Sequence, residues 1–419
     1  MTALGADART GRPAAGTSKL PRLVGVDALR ACAAILVLLL HTGRDTGPLV
    51  VLKPIAAFGW SGVGLFLVLS GFSIHFRWAA SDVPHHEFTT ARFFRRRFFR
   101  IYPTYAAAVL VTIILLALDR ELSTQTPWVI AHGNQPGWVI AINQLVVIPA
   151  NVIPVAFVGV AWSLGLEIQL YVAYAALVRR LRRVGVMRIV LAALLIALAY
   201  RVASELITSS MPEGQFFPNG QETMLSRVLY TQLPSRAFEW FLGVLAAEAY
   251  FGRLKLPGWT RSPVVGVILL FVAGLVYRHP LGVSHINGHF FRWSDVLLDP
   301  LVGISYFVLL RAVVTRAEGL ATARKGIRAV VAALAKVGLF SYSLYLMHPA
   351  LLVTGARLAG DLGIGGTAET VLMLALAVGG SWAFHLVVER PFISGAGDRF
   401  VLARLRRLRG GLSAGHAES

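Results

Sequence analysis

Apolar residues in this chain fall in long blocks rather than in alternation. Ten stretches have about the length needed to cross a bilayer core as a helix: 23–42, 58–78, 101–118, 160–178, 188–207, 236–251, 264–280, 294–314, 333–353 and 369–389. Inside lipid every backbone N–H and C=O must be bonded within the chain, so such runs form helices. A membrane barrel would show short segments of alternating polarity instead, and the sequence has no such pattern. The pattern predicts an all-α protein, a polytopic transmembrane helical bundle of about ten helices. An eleventh apolar stretch, 138–158, is interrupted by Pro149 and Pro154 and carries Asn143 and Asn151. It reads as a loop or a half-embedded segment.

Charge fixes the orientation. The 419 residues are 56% hydrophobic and only 15% charged, with a mean hydropathy of +0.65. The formal net charge is nevertheless +19. In a soluble protein that excess would suggest nucleic acid. Here 29 of the 40 Lys and Arg lie in 1–22, 79–100, 179–188, 252–263, 311–336 and 390–419, against 6 in the intervening connections. Basic residues collect in cytoplasmic loops, so the split puts the N- and C-termini in the cytoplasm and leaves no reason to invoke nucleic acid. A multi-pass protein of the inner (plasma) membrane is expected, with the lipid bilayer as its first partner.

The organisation is simple. Residues 1–22 are polar and rich in Pro, Ala and Gly, and are expected to be a disordered cytoplasmic tail; 23–393 form one membrane domain; 394–419 form a basic cytoplasmic tail. The first helix would serve as its own insertion signal. Cys32 is the only cysteine, so no disulfide within the chain is possible. Trp128, Trp138, Phe216 and Phe217 lie in the two longest outer connections and could cover a site or anchor at the interface.

Ionisable residues within spans are costly and mark function by default. Arg30 and His41 share the first helix; eleven residues put them on one face, about 16 Å apart along the axis. Arg97 and Arg100 share a face where a basic run enters the third helix. Paired guanidinium donors suit the phosphates of a donor such as coenzyme A, whereas Arg92, Arg95 and Arg96 read as ordinary cytoplasmic charge. Ser163, Glu167 and Tyr171 form a polar stripe at i, i+4, i+8, and Ser341, Tyr345 and His348 form another. Arg236 and Glu239, three apart, could be a neutralising pair. Ser70-Gly71 lacks the GxSxG frame of a nucleophile elbow and reads as a place where helices approach closely. His85, His86, His279, His285 and His289 lack metal-ligand spacing, and no metal is expected.

These segments together resemble the acyltransferase-3 family of integral membrane acyltransferases. The matching stretches are Val26-Asp27-Ala28-Leu29-Arg30-Ala31 ending at His41, Phe66-Leu67-Val68-Leu69-Ser70-Gly71-Phe72, Arg97-Phe98-Phe99-Arg100-Ile101-Tyr102-Pro103, Trp162-Ser163-Leu164 through Tyr171, Ser341 through Pro349, and Glu389-Arg390-Pro391-Phe392. The resemblance implies ten helices and acyl transfer from acyl-CoA to sugars, envelope glycans or glycosylated metabolites, with Arg30, His41, Arg97 and Arg100 important. Two positions depart from it: Ile168 stands where a second acidic residue often follows, and Met347 where Trp is frequent.

The expected activity is membrane O-acyltransfer of an acetyl or short acyl group to a sugar hydroxyl. Acyl-CoA serves as donor co-substrate, with no bound cofactor. The attacking hydroxyl must lose a proton, so a base is needed. His41 is the candidate, with Glu167 as orienting or charge-stabilising partner; Arg30, Arg97, Arg100, Tyr345 and His348 are candidate substrate-binding residues. The alternative is a proton-coupled transporter or flippase in which His41, Glu167 and His348 relay protons, although the internal repeat such folds commonly show is missing.

Overall fold

The computed structural model describes residues 22–42, 53–80, 88–118, 161–209, 228–278, 283–286 and 289–393, with 6–7 and 12–13. The interrupted stretch 138–158 and the four aromatic residues of the outer connections lie outside the described residues.

The apolar blocks are helices. They are α1 (Val24–Thr42), α2 (Gly62–Ala80), α3 (Thr90–Leu118), α4 (Ala161–Leu177), α5 (Val186–Ser209), α6 (Leu233–Tyr250), α7 (Pro263–Arg278), α8 (Trp293–Thr315), α9 (Lys325–Leu339), α10 (Ser341–Asp361) and α11 (Gly366–Phe384). Between α7 and α8 a hairpin pairs β1 (Val283–Ile286) with β2 (His289–Arg292). Among the described residues seven helices are long and apolar enough to cross a membrane, those built on α1, α2, α3, α4, α5, α8 and α11. The protein is thus a multi-pass membrane protein.

Three of the expected spans depart from that standard, each for a physical reason. At 16 residues, α7 reaches only about 24 Å, short of a bilayer core. Helix α6 carries Arg236, Glu239 and Glu248, and is buried throughout from Ser235 to Glu248. Its environment is other helices, so apolarity is not required of it. The stretch 333–353, expected as one helix, is two: Phe340 leaves helical geometry at φ −109° and ψ 17° and separates α9 from α10.

The chain divides into two compact units. The first comprises Met1–Val37, Pro54–Phe88 and Leu166–Leu339. Its centre is α6, packed on α2, α5 and α8, with α7 alongside α8. The α2–α6 crossing depends on two glycines. A Cβ at Gly71 would run into the Trp240 backbone carbonyl, and one at Gly243 into that of Val68. Small residues here let the backbones touch, as the sequence suggested for Gly71. Pro234 and Pro263 stand in the first turns of α6 and α7, where a missing N–H costs nothing. One side of α7 carries exposed Val264, Val267, Ile268, Phe271 and Leu275.

The second unit comprises Leu38–Lys53, Thr89–Gly165 and Phe340–Ser419. Its frame is the α10–α11 hairpin, with α3 against α10 and against the π-helical turn His385–Glu389 that follows α11. The hairpin turns at Gly363 and Gly366, whose φ angles of 64° and 65° favour glycine.

Candidate active site

In the second unit the polar stripe of α10 meets the last turn of α1. His348 is buried, and its Nδ1 lies 2.9 Å from the Tyr345 carbonyl and 3.1 Å from that of Leu344. Carbonyls only accept, so Nδ1 carries the proton and a neutral His348 presents a lone pair at Nε2. That nitrogen faces His41 Nδ1 at 3.4 Å, with the two rings edge to face. The hydrogen bond then requires the proton of His41 on Nδ1, which makes His41 Nε2 the lone-pair nitrogen. A backbone-fixed histidine thereby sets the tautomer of a second one, and the second can accept a proton. One turn away, Tyr345 Oη and Ser163 Oγ are 2.7 Å apart, joining α10 to the first turn of α4. The sequence reading treated His348 as a substrate contact; the structure engages both of its nitrogens, one with α10's own backbone and one with His41.

Arg97 and Arg100 lie in this unit, near the start of α3. The Arg97 guanidinium is half-buried and sits 5.8 Å from the Phe93 ring centre, while Arg100, Arg92, Arg95 and Arg96 are exposed. The sequence separated Arg97 and Arg100 from their neighbours; the structure separates Arg97 from the other four. Nearby, Tyr342 Oη donates to the Ile101 carbonyl at 3.1 Å, and Glu389 accepts from Ser343 at 2.6 Å and lies 2.7 Å from His385 Nδ1.

The remaining candidates lie in the first unit. Glu167 Oε1 accepts from Tyr171 at 2.5 Å and from Ser70 at 2.7 Å; Ser70 in turn accepts from Trp240 Nε1 at 3.2 Å. The spacing puts Glu167 and Tyr171 in one polar stripe, and the structure bonds them. The role of Ser70 had not been foreseen, because a small residue beside a glycine reads as a packing position whether or not its hydroxyl is used. Arg30 donates to Asp27 at 2.7 Å and to Ser73 at 2.6 Å, and Asp27 also accepts from Arg22. This ties the entry of α1 to α2.

Two further buried groups escaped the sequence reading. His75 in α2 is fully buried between the Tyr174 hydroxyl at 2.9 Å and Glu248 at 2.6 Å. Asp299 in α8 bridges Arg201 and Arg236, beside the Arg236–Glu239 pair that the spacing suggested, which is present at 2.9 Å. The signal for both was present, an ionisable residue within an apolar stretch, but the partners lie on helices far away in sequence. Among the described residues no group of three or more His, Cys, Asp or Glu converges as a metal site would.

Comparison with known proteins identifies the family. The family model described as Acyltransferase domain, that of the acyltransferase-3 family, matches residues 23–386. The chain is 27% identical over 397 residues to the acyltransferase MdmB of Streptomyces mycarofaciens, covering 91% of this chain and 93% of that protein. No solved structure matches. With a family match spanning every helix described above, the chain belongs to the acyltransferase-3 family and is a membrane-embedded acyltransferase.

Proposed function

We propose that the protein moves an acetyl or short acyl group from cytoplasmic acyl-CoA to a hydroxyl of a sugar, in an envelope glycan, a glycolipid or a glycosylated metabolite. The observation that carries this reading is the His41–His348 pair, a histidine whose tautomer leaves Nε2 able to take a proton. As the acceptor oxygen bonds to the thioester carbonyl carbon, its proton passes to His41 Nε2. The C–S bond then breaks, and the thiol leaves as CoA with the proton returned to sulfur. His348 orients His41 rather than binding substrate. Arg97, with Arg100 one turn on, binds the CoA phosphates through charge-assisted hydrogen bonds. Tyr345, next to Ser163, contacts the acceptor. Glu167 remains a catalytic candidate held by Ser70 and Tyr171, and Arg30 holds α1 in place.

The protein on this reading sits in the inner (plasma) membrane with ten spans and cytoplasmic termini. Helix α6 is an enclosed span, α7 a short one, and α10 the ninth. The lopsided distribution of Lys and Arg supports this orientation.

The test is release of CoA from radiolabelled acetyl-CoA and short acyl-CoAs by the purified protein in nanodiscs, with sugar acceptors supplied as a panel. Acceptor-dependent release with label appearing on the sugar is expected. Transfer only from a non-CoA donor, or only to amines, would overturn the reading.

A further inference from the structure

Helix α9 plays no part in the chemistry above, yet its surface is sharply divided. At the helical repeat, Ile327, Val330, Val331, Leu334 and Val337 fall in one sector and Lys325, Arg328 and Lys336 in the opposite one. The helix contains no Asp or Glu. Buried residues within it are Ala335 and Gly338, both towards its C-terminal end. In the N-terminal half the apolar sector is bare: Ile327 is 51% exposed and Val330 60%.

The docked end locates this helix. A Cβ at Gly338 would run into the Asp27 carbonyl, in the first turn of α1. A Cβ at Gly25 would run into Val313, two residues before the end of α8. The start of α1, the end of α8 and the end of α9 therefore lie at one level. Both α1 and α8 are candidate membrane spans, so that level is the border of the apolar layer. A helix that departs from this border with a bare apolar stripe, and with charges that are all basic and all on the other side, has the pattern of one lying in the membrane interface.

We propose that α9 is an interfacial helix that rests its Ile327–Val330–Leu334 face on the acyl chains and binds anionic lipid headgroups through Lys325, Arg328 and Lys336. Charge complementarity selects this occupant. Three cations gathered on one side of a helix that contains no Asp or Glu suit an acidic lipid surface, and the apolar sector on the other side suits its chains. The proposal rests on the membrane reading of α1 and α8, not on the acyl-transfer reading, so the two fail separately.

The full-length protein, reconstituted in phosphatidylcholine vesicles with and without phosphatidylglycerol, provides the test. In a Cys32→Ala background, nitroxides are attached at Val330→Cys and, separately, at Ala329→Cys. Oxygen should reach the first and a water-soluble nickel complex the second. Independently, with Cys32 kept, the triple variant Lys325→Gln, Arg328→Gln, Lys336→Gln should lose its preference for phosphatidylglycerol in retained lipid. At roughly fivefold per basic residue near the surface, a loss of at least about tenfold is expected. Nickel access at both labels would make α9 a water-exposed surface for a soluble partner, and oxygen access at both would make it part of a span. Either result, or an unchanged lipid preference in the triple variant, overturns the proposal.

Discussion

Histidine tautomers carry the chemistry at the level of single residues. The Nδ1 proton of His348 is committed to two α10 carbonyls, so its value to His41 lies in the lone pair at Nε2. His348→Ala removes that acceptor and lets the His41 ring turn; His348→Gln restores a side-chain oxygen that can accept from Nδ1–H. Turnover should fall by roughly 10²-fold or more in the alanine variant, within the range for a mispositioned base. The glutamine variant should recover part of it, with KM for acyl-CoA unchanged in both. Equal loss in the two would mean that His348 acts by bulk alone, and steady-state kinetics on purified protein decides it. Asp299 presents the opposite case. Its carboxylate pairs with two buried guanidinium groups, so Asp299→Ala takes from Arg201 its carboxylate partner and leaves Arg236 with Glu239 alone. Breaking a buried ion pair typically costs about 3–5 kcal/mol, and thermal unfolding in detergent should show a large drop in Tm. The histidines were legible in the sequence because they sit in apolar stretches. Which nitrogen does what was not, since it depends on carbonyls one turn away and on a ring more than three hundred positions along the chain.

Helices transmit what the residues require, and close approach is their main device. At the α2–α6 crossing, Gly71 and Gly243 meet backbone atoms of the opposite helix. Gly243→Val cannot be absorbed by a side-chain rotation, because the obstacle is the Val68 carbonyl. Overpacking costs of about 1–3 kcal/mol are usual, and this site should lie at or above the upper end. Gly379, which has open space around it, is the control: Gly379→Ala should leave Tm essentially unchanged. On α3, replacing Arg97 and Arg100 together by Ala should raise KM for acyl-CoA at least about tenfold, since each hydrogen bond to a charged group contributes roughly 1.5–3 kcal/mol. Replacing Arg95 and Arg96 should do much less; equal effects would favour a diffuse basic loop. The helices themselves were readable from block length. The break at Phe340 was not, because the local sequence Val337-Gly338-Leu339-Phe340-Ser341 holds no proline and only one glycine. At that end Gly338 is seated on the backbone at Asp27, a tertiary contact that the local sequence does not announce.

For the whole molecule, two demands act on the sequence at once, and they are legible to different degrees. Lipid asks for apolar length, and helices that supply it, such as α5 with exposed Leu191, Leu195 and Ile196, announce themselves. An enclosed helix answers only to its neighbours, which is why α6 carries three charges and is still the centre of its unit. Topology is the matching global test. Reporters after residues 22, 183, 258 and 410 should be cytoplasmic, and those near 50, 215, 285 and 362 should face outward; a cytoplasmic 285 with an outward 258 would contradict the ten-span arrangement. The central claim, however, is that His41 takes the acceptor's proton, and it is tested most directly by single-turnover acyl transfer with purified His41→Ala. The account requires correct insertion, acyl-CoA binding equal to that of the parent protein, and a transfer rate reduced by roughly 10²–10⁴-fold. Transfer at the parent rate, with binding intact, would contradict it and place the base elsewhere.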